Sequence, residues 1–261
     1  MNRIEKKKIE CGKKKMFITY MTAGLPNMEK TAAIVRAQEE AGVDMIELGI
    51  PFSDPIADGP VIQEASYQSI QNGTNLKKVF EMVKDLRKDC SVPIIFMLYY
   101  NTILYYGIEQ FISRCIECGV DGIIVPDLPY EETFEIKEAL KGKEDELYLI
   151  PLVSPLSKER IPKILDGAKG FVYCVSSMGV TGQNADFHND IQQYLTEVKN
   201  QSDIPVMLGF GIHTAKDVEP YKEIIDGCIV GTHFIKLMEE SKFDLNTAKE
   251  YITTFKSELN S

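Results

Sequence analysis

Eight short apolar segments, each followed by a helical stretch, constrain this chain more than any other feature. They are MFITYMTAG (16–24), MIELGIP (45–51), PIIFMLYY (93–100), GIIVPD (122–127), YLIPLV (148–153), GFVYCVS (170–176), PVMLGFG (205–211) and GCIVGTHF (227–234). Between them run stretches with the helical period. Asn27 caps one that places Ala33, Ile34, Ala37 and Ala41 on a single face, and Asn75 caps another with Leu76, Val79, Phe80, Val83 and Leu86. Further helices are expected over 107–119 and 131–141, around Ile161, Ile164, Leu165 and Ala168, around Ile191, Tyr194, Leu195 and Val198, from Thr214, and from Asp244.

Strands this apolar are covered on both faces, which calls for a parallel sheet with helical crossovers. Eight repeats in 261 residues favour closing that sheet. Internal similarity agrees: AGVDMIELGIP and CGVDGIIVPDLP repeat a helix end, a turn and a strand, and SVPIIFML and DIPVMLGF repeat a strand entry. The expectation is an α/β chain forming a single (β/α)8 TIM-barrel domain over 1–261, with a short helix in the basic N-terminal run. An open doubly wound sheet would want a glycine-rich fingerprint after the first strand, and GLPN is not one.

Composition excludes several partners. With 29 basic against 39 acidic residues the net charge is −10, so no nucleic-acid footprint is expected. No apolar run reaches the roughly 20 residues that cross a bilayer, and the N-terminus lacks an apolar leader, so the chain reads as cytoplasmic and without a membrane partner. The six cysteines read as reduced core residues; Cys115 and Cys118 form a CxxC inside a helical pattern with no second pair.

The chemistry centres on MIELGIPFSDPIADGP (45–60). Glu47 is an acid on an apolar strand, costly unless paired or used, and the adjoining loop adds Asp54 and Asp58. Barrel active sites lie where strands end. Those positions are Tyr20, Glu47, Asp58, Tyr100, Asp127, Tyr173, Thr181, Gly182, Phe210, Gly211, Gly231 and Thr232. The late loops MGVTGQ, GFGIHT and VGTHF are glycine-rich and suit a phosphate, helped by a helix starting after the eighth strand. Tyr20, Leu98, Tyr100 and Ile124 beside Glu47 suit a flat hydrophobic ring. No strand carries an interior lysine for a Schiff base, and His188, His213 and His233 have no metal-ligand spacing. What is left is carboxylate acid–base work on a phosphorylated, ring-bearing substrate.

ELGIPFSDPIADGP, with TAGLP before it and GVTG, GFGI and VGTHF after, closely resembles the tryptophan synthase alpha chain family over essentially the whole chain. The resemblance implies a barrel that cleaves indole-3-glycerol phosphate to indole and glyceraldehyde 3-phosphate. It also implies no cofactor in this chain, and an alpha2beta2 heterotetramer in which a pyridoxal-phosphate (PLP) beta chain receives the indole. Glu47 and Asp58 match the family's catalytic carboxylates, and Gly182, Gly211, Gly231 and Thr232 its phosphate loops. Tyr20, Leu98, Tyr100, Ile124 and Tyr173 fall where its substrate pocket lies, and Thr181 matches a threonine that orders the lid. Two positions depart from the family: Thr232 stands where a serine is usual, and Ser177 where arginine is frequent. A free-standing lyase and a non-catalytic regulatory subunit are the alternatives.

Overall fold

The computed structural model describes residues 1–175, 185–209 and 211–261, with 185–189 followed by backbone only. Its strands are β1 (Met16–Thr22), β2 (Met45–Gly49), β3 (Ile94–Met97), β4 (Gly122–Ile124), β5 (Tyr148–Leu149), β6 (Leu152–Val153), β7 (Val172–Val175), β8 (Val206–Gly209) and β9 (Gly227–Val230). The helices are α1 (Arg3–Cys11), α2 (Met28–Glu40), α3 (Pro60–Gln71), α4 (Leu76–Leu86), α5 (Tyr100–Tyr106), α6 (Ile108–Cys118), α7 (Phe134–Leu140), α8 (Ile161–Leu165), α9 (Ala185–Gln201), α10 (Thr232–Glu240) and α11 (Leu245–Leu259).

All strand pairs are parallel, in the order β5-β4-β3-β2-β1-β9-β8-β7-β6. The two ends of that order are halves of one expected strand, 148–153, interrupted at Pro151, which has no N–H to give a ladder. The interruption does not open the ring. Ile150 N–H donates to Ile123 O at 2.9 Å on one side, and Tyr173 N–H donates to Pro151 O at 2.9 Å on the other. The result is a (β/α)8 barrel with a split fifth strand.

Strand alternation sorts the side chains into two cores. Met16, Ile18, Met45, Ile95, Met207 and Ile229 fill the interior, closed from below by Ile4 of α1. Phe17, Ile46, Leu48, Phe96, Cys174 and Leu208 face outward into the layer shared with helix residues such as Val79, Phe80 and Phe111. Cys115 and Cys118 are buried in that outer layer.

The repeated turn before the strands has a structural use at the lower rim. Asp44 accepts from Phe17 N–H at 2.8 Å, Asp121 from Ile94 N–H at 2.9 Å and Asp226 from Val206 N–H at 2.7 Å. Each aspartate precedes one strand and pins the start of its neighbour. Asp121 is also paired with Arg87 at 2.8 Å and Arg3 at 3.0 Å, and Asp44 with Lys256 at 2.7 Å.

Several boundaries differ from expectation. The third strand ends at Met97, and α5 begins at Tyr100, where the tyrosines read as strand. The last strand stops at Val230, and Thr232 to Phe234 turn into α10. The helix expected from Thr214 is a pair of 3-10 turns, Ala215–Asp217 and Glu219–Tyr221, since Asp217 and Pro220 both favour turn over extended helix. The sequence reading did not anticipate α3, which starts at Pro60 directly after Gly59.

Candidate active site

Parity places Glu47 inside the barrel: Met45, two residues before it, is an interior residue, and Ile46 and Leu48 are outer ones. Glu47 is fully buried, and neither carboxyl oxygen has a hydrogen-bond partner among the described residues. Burial alone pushes its carboxyl up to about 8. An acid in this position is neutral at pH 7, holding a proton it can give away.

Asp58 reaches the same region from the loop after β2. Burial raises its carboxyl and a hydrogen bond from Tyr99 opposes the rise. The Tyr99 hydroxyl donates to Asp58 Oδ2 at 2.9 Å and accepts from Ala57 N–H at 2.9 Å, while the Tyr99 ring stacks on Phe52 with centroids 5.0 Å apart. One buried phenol therefore touches the Asp58 loop at three points.

Two further phenols face both acids. Tyr20 is paired across strands with Glu47, and its hydroxyl is pushed up by burial first and by Asp58 and Glu47 after that. The Tyr173 hydroxyl is pushed up by burial, then by Glu47, Tyr20 and Asp58. Each ring lies over a strand-end glycine. A Cβ at Gly49 would collide with the Tyr20 phenol, and one at Gly209 would come within 2.5 Å of the Tyr173 ring. Only glycine leaves these rings room to lie flat across the mouth. Ile124 is buried beneath, in the interior layer with Tyr173.

The late loops approach from the opposite side. Gly211 sits at φ +69°, a left-handed conformation suited to glycine, and Gly231 lies 3.4 Å, measured from an added Cβ, from Tyr20 Cβ. In α10 the first intrahelical bond is Ile235 N–H to Gly231 O at 3.1 Å, which leaves the N–H groups of Thr232, His233 and Phe234 ahead of it. Thr232 is exposed at that helix start. Thr181, Gly182, Phe210 and Ser177 lie outside the described residues.

The third strand corrects the sequence reading by one position. Leu98 is buried in the outer layer, and the Tyr100 hydroxyl turns away to Glu135 at 2.8 Å. Met97, packed against both the interior and the Tyr20 cluster, and Tyr99 occupy the inward parity. Counting alternate residues from Ile95 would have found them. Asp127 is exposed and accepts the Tyr100 N–H at 2.9 Å, so it anchors the start of α5.

Fold and mouth together place the chain in the class of (β/α)8-barrel enzymes whose acids sit at the strand ends. Its residues 6–261 match the family model described as tryptophan synthase alpha chain. A tryptophan synthase alpha chain of Lachnospira eligens is 57% identical over 263 residues, covering 100% of both chains. Among solved structures, tryptophan synthase subunit alpha from Legionella pneumophila str. Paris superposes with a TM-score of 0.89 at 35% identity, covering 99% of this chain and 98% of that one. A Mycobacterium tuberculosis tryptophan synthase structure superposes at 0.88 with 28% identity, covering 100% and 99%. The chain belongs to the tryptophan synthase alpha chain family, the lyases that carry out the indole-3-glycerol phosphate half-reaction of tryptophan biosynthesis.

Proposed function

We propose that Glu47 and Asp58 cleave indole-3-glycerol phosphate by general acid–base catalysis, the substrate's own indole ring serving as electron sink. Glu47 donates its proton to ring carbon C3. This generates an iminium-like indolenine, and Asp58, accepting a hydrogen bond from the indole N–H, stabilises the positive charge there. The bond from C3 to the glycerol carbon then breaks and its electrons return to the ring. The hydroxyl proton of that carbon passes to the Glu47 carboxylate, regenerating the acid and leaving glyceraldehyde 3-phosphate.

The observation that carries this reading is the buried, unpartnered Glu47, neutral near pH 7 because of its surroundings. The phosphate tail is assigned to Gly211, Gly231, Thr232 and the start of α10, together with Gly182, and the indole to the space bounded by Tyr20, Tyr99, Ile124 and Tyr173. No cofactor is assigned to this chain; PLP belongs to the beta chain.

The partner of this reading is a tryptophan synthase beta chain in an alpha2beta2 assembly in the cytoplasm. Exposed apolar side chains on the segments that follow strands support it: Ile56 (84% exposed) after β2, Tyr105 (95%) in α5, Phe134 (67%) at the start of α7 and Leu156 (73%) after β6. Among the described residues no helix is long and apolar enough to cross a membrane.

The test is indole release by the purified chain, with and without a beta chain. Glu47→Gln should lose turnover by about 10²-fold or more while still binding the phosphorylated substrate. Near-normal release by that variant would reject the assignment. A chain equally fast alone would be a free-standing lyase.

A further inference from the structure

The loop after β8 and the first turn of α10 meet through two imidazoles. His213 and His233 stack with ring centroids 5.0 Å apart and planes 17° apart. Tyr251 of α11 packs on His233 at 5.5 Å, and its hydroxyl donates to His213 O at 2.8 Å. From the far side, Asp217 Oδ2 accepts the N–H groups of His213 at 2.9 Å and Thr214 at 2.8 Å. The stack therefore joins three elements at one point.

Its position is what gives it a use. His213 follows Gly211 by two residues and His233 follows Thr232 directly, so the pair spans the two segments assigned above to the phosphate. The groups facing His233 are His213 and Asp217 from the loop, Lys236 and Glu240 from its own helix, and the Tyr251 phenol from α11. Burial and then His213 hold the His233 imidazole below its usual value. Two imidazoles this close accommodate one proton readily, and a second only against like-charge repulsion.

We propose that His213 and His233 are a proton-linked positioning pair for the phosphate end of the substrate. A dianion at Gly211, Gly231 and Thr232 draws one proton from solvent onto the stack. The singly protonated pair then holds loop and helix at the separation the anion requires. The proposal rests on the phosphate assignment made above. It predicts that anion binding takes up a proton, and hence that affinity rises as pH falls through the titration of the pair.

Sulfate is the probe, because it stays a dianion where a phosphate monoester dianion takes up a proton, near pH 6. Binding of sulfate to the full chain is measured at pH 6 and pH 8 by calorimetry in buffers of different ionisation heat, and by shifts of the backbone amides and imidazole signals. The expected result is uptake of about one proton and an affinity at least about fivefold higher at pH 6. His233→Gln and His213→Gln should each flatten that dependence. Sulfate that shifts the Gly231 and Thr232 amides with no proton uptake overturns the proposal, as does an unchanged pH dependence in both variants. If sulfate shifts none of the Gly211, Gly231 and Thr232 amides, the phosphate assignment itself falls. Should the variants not fold, the buffer dependence of the native chain still decides.

Discussion

Glu47 bears opposite consequences for chemistry and for stability. Its carboxyl sits at about 8 in the fold against an ordinary 4.5, so between those values the folded chain holds a proton that the unfolded chain has released. Stability is fully present below the unfolded value and declines as pH rises toward 8, by up to about 1.4 kcal/mol per unit. Glu47→Gln should therefore melt at a higher temperature than the native chain at pH 8, and at nearly the same temperature at pH 4.5. Equal melting curves at both would mean the side chain is not buried as an acid.

The same strand-end region separates two adjacent tyrosines. Tyr99→Phe removes the donor to Asp58, a bond to a charged group worth about 2 kcal/mol. Turnover should fall about thirtyfold. Because Tyr99 holds the Asp58 carboxyl down, its loss raises that carboxyl, and the acid limb of the kcat profile should move to higher pH. Tyr100→Phe, which gives up only a bond to exposed Glu135, should leave both turnover and profile close to native. A matched pair of pH profiles for indole release checks the contrast.

At the scale of elements, the glycines under the phenols and the aspartates under the strands do different work. Gly49→Ala places a methyl group into the Tyr20 phenol, so the ring that lies beside Glu47 must shift. Indole release should drop by about tenfold or more while the melting temperature changes little. Asp121→Ala leaves the charge of Arg87, 10% exposed, with carbonyl contacts but no carboxylate, and frees the N–H that starts β3. Denaturant unfolding should show a loss of about 3–5 kcal/mol.

These elements also show what the sequence could reveal. Caps were legible because a cap is local: Asn27 and Asn75 accept the N–H groups of Lys30 and Lys78 as their spacing required. Glu47 was legible because an acid among apolar neighbours is costly anywhere in a barrel. Leu98 and Tyr100 were placed one position out because an apolar run hides the strand's parity, and only Ile95 packing inward fixes it. Gly49 and Gly209 went unremarked since what needs the space is a ring on another residue. The break at Pro151 was visible as a proline, but not as a pairing change, which depends on both neighbouring strands.

For the whole molecule, the exposed apolar side chains Ile56, Tyr105, Phe134 and Leu156 all lie on segments that follow strands. Ile56→Asp together with Tyr105→Ser should weaken assembly with a beta chain, read by sedimentation. The circular dichroism spectrum and melting temperature of the isolated chain should stay as they were. Tight assembly in spite of both changes would place the partner elsewhere. In the ring itself, β1 stands opposite the split strand, with β2 and β9 on either side of it. Over that split a groove of about 790 Å³ runs between α7 and α8, floored by Tyr148, Ile150 and Pro151. The seam at Pro151 and the acid at Glu47 thus belong to separate staves, and a side chain altered in the groove leaves the stave bearing Glu47 both of its own neighbours, β1 and β3.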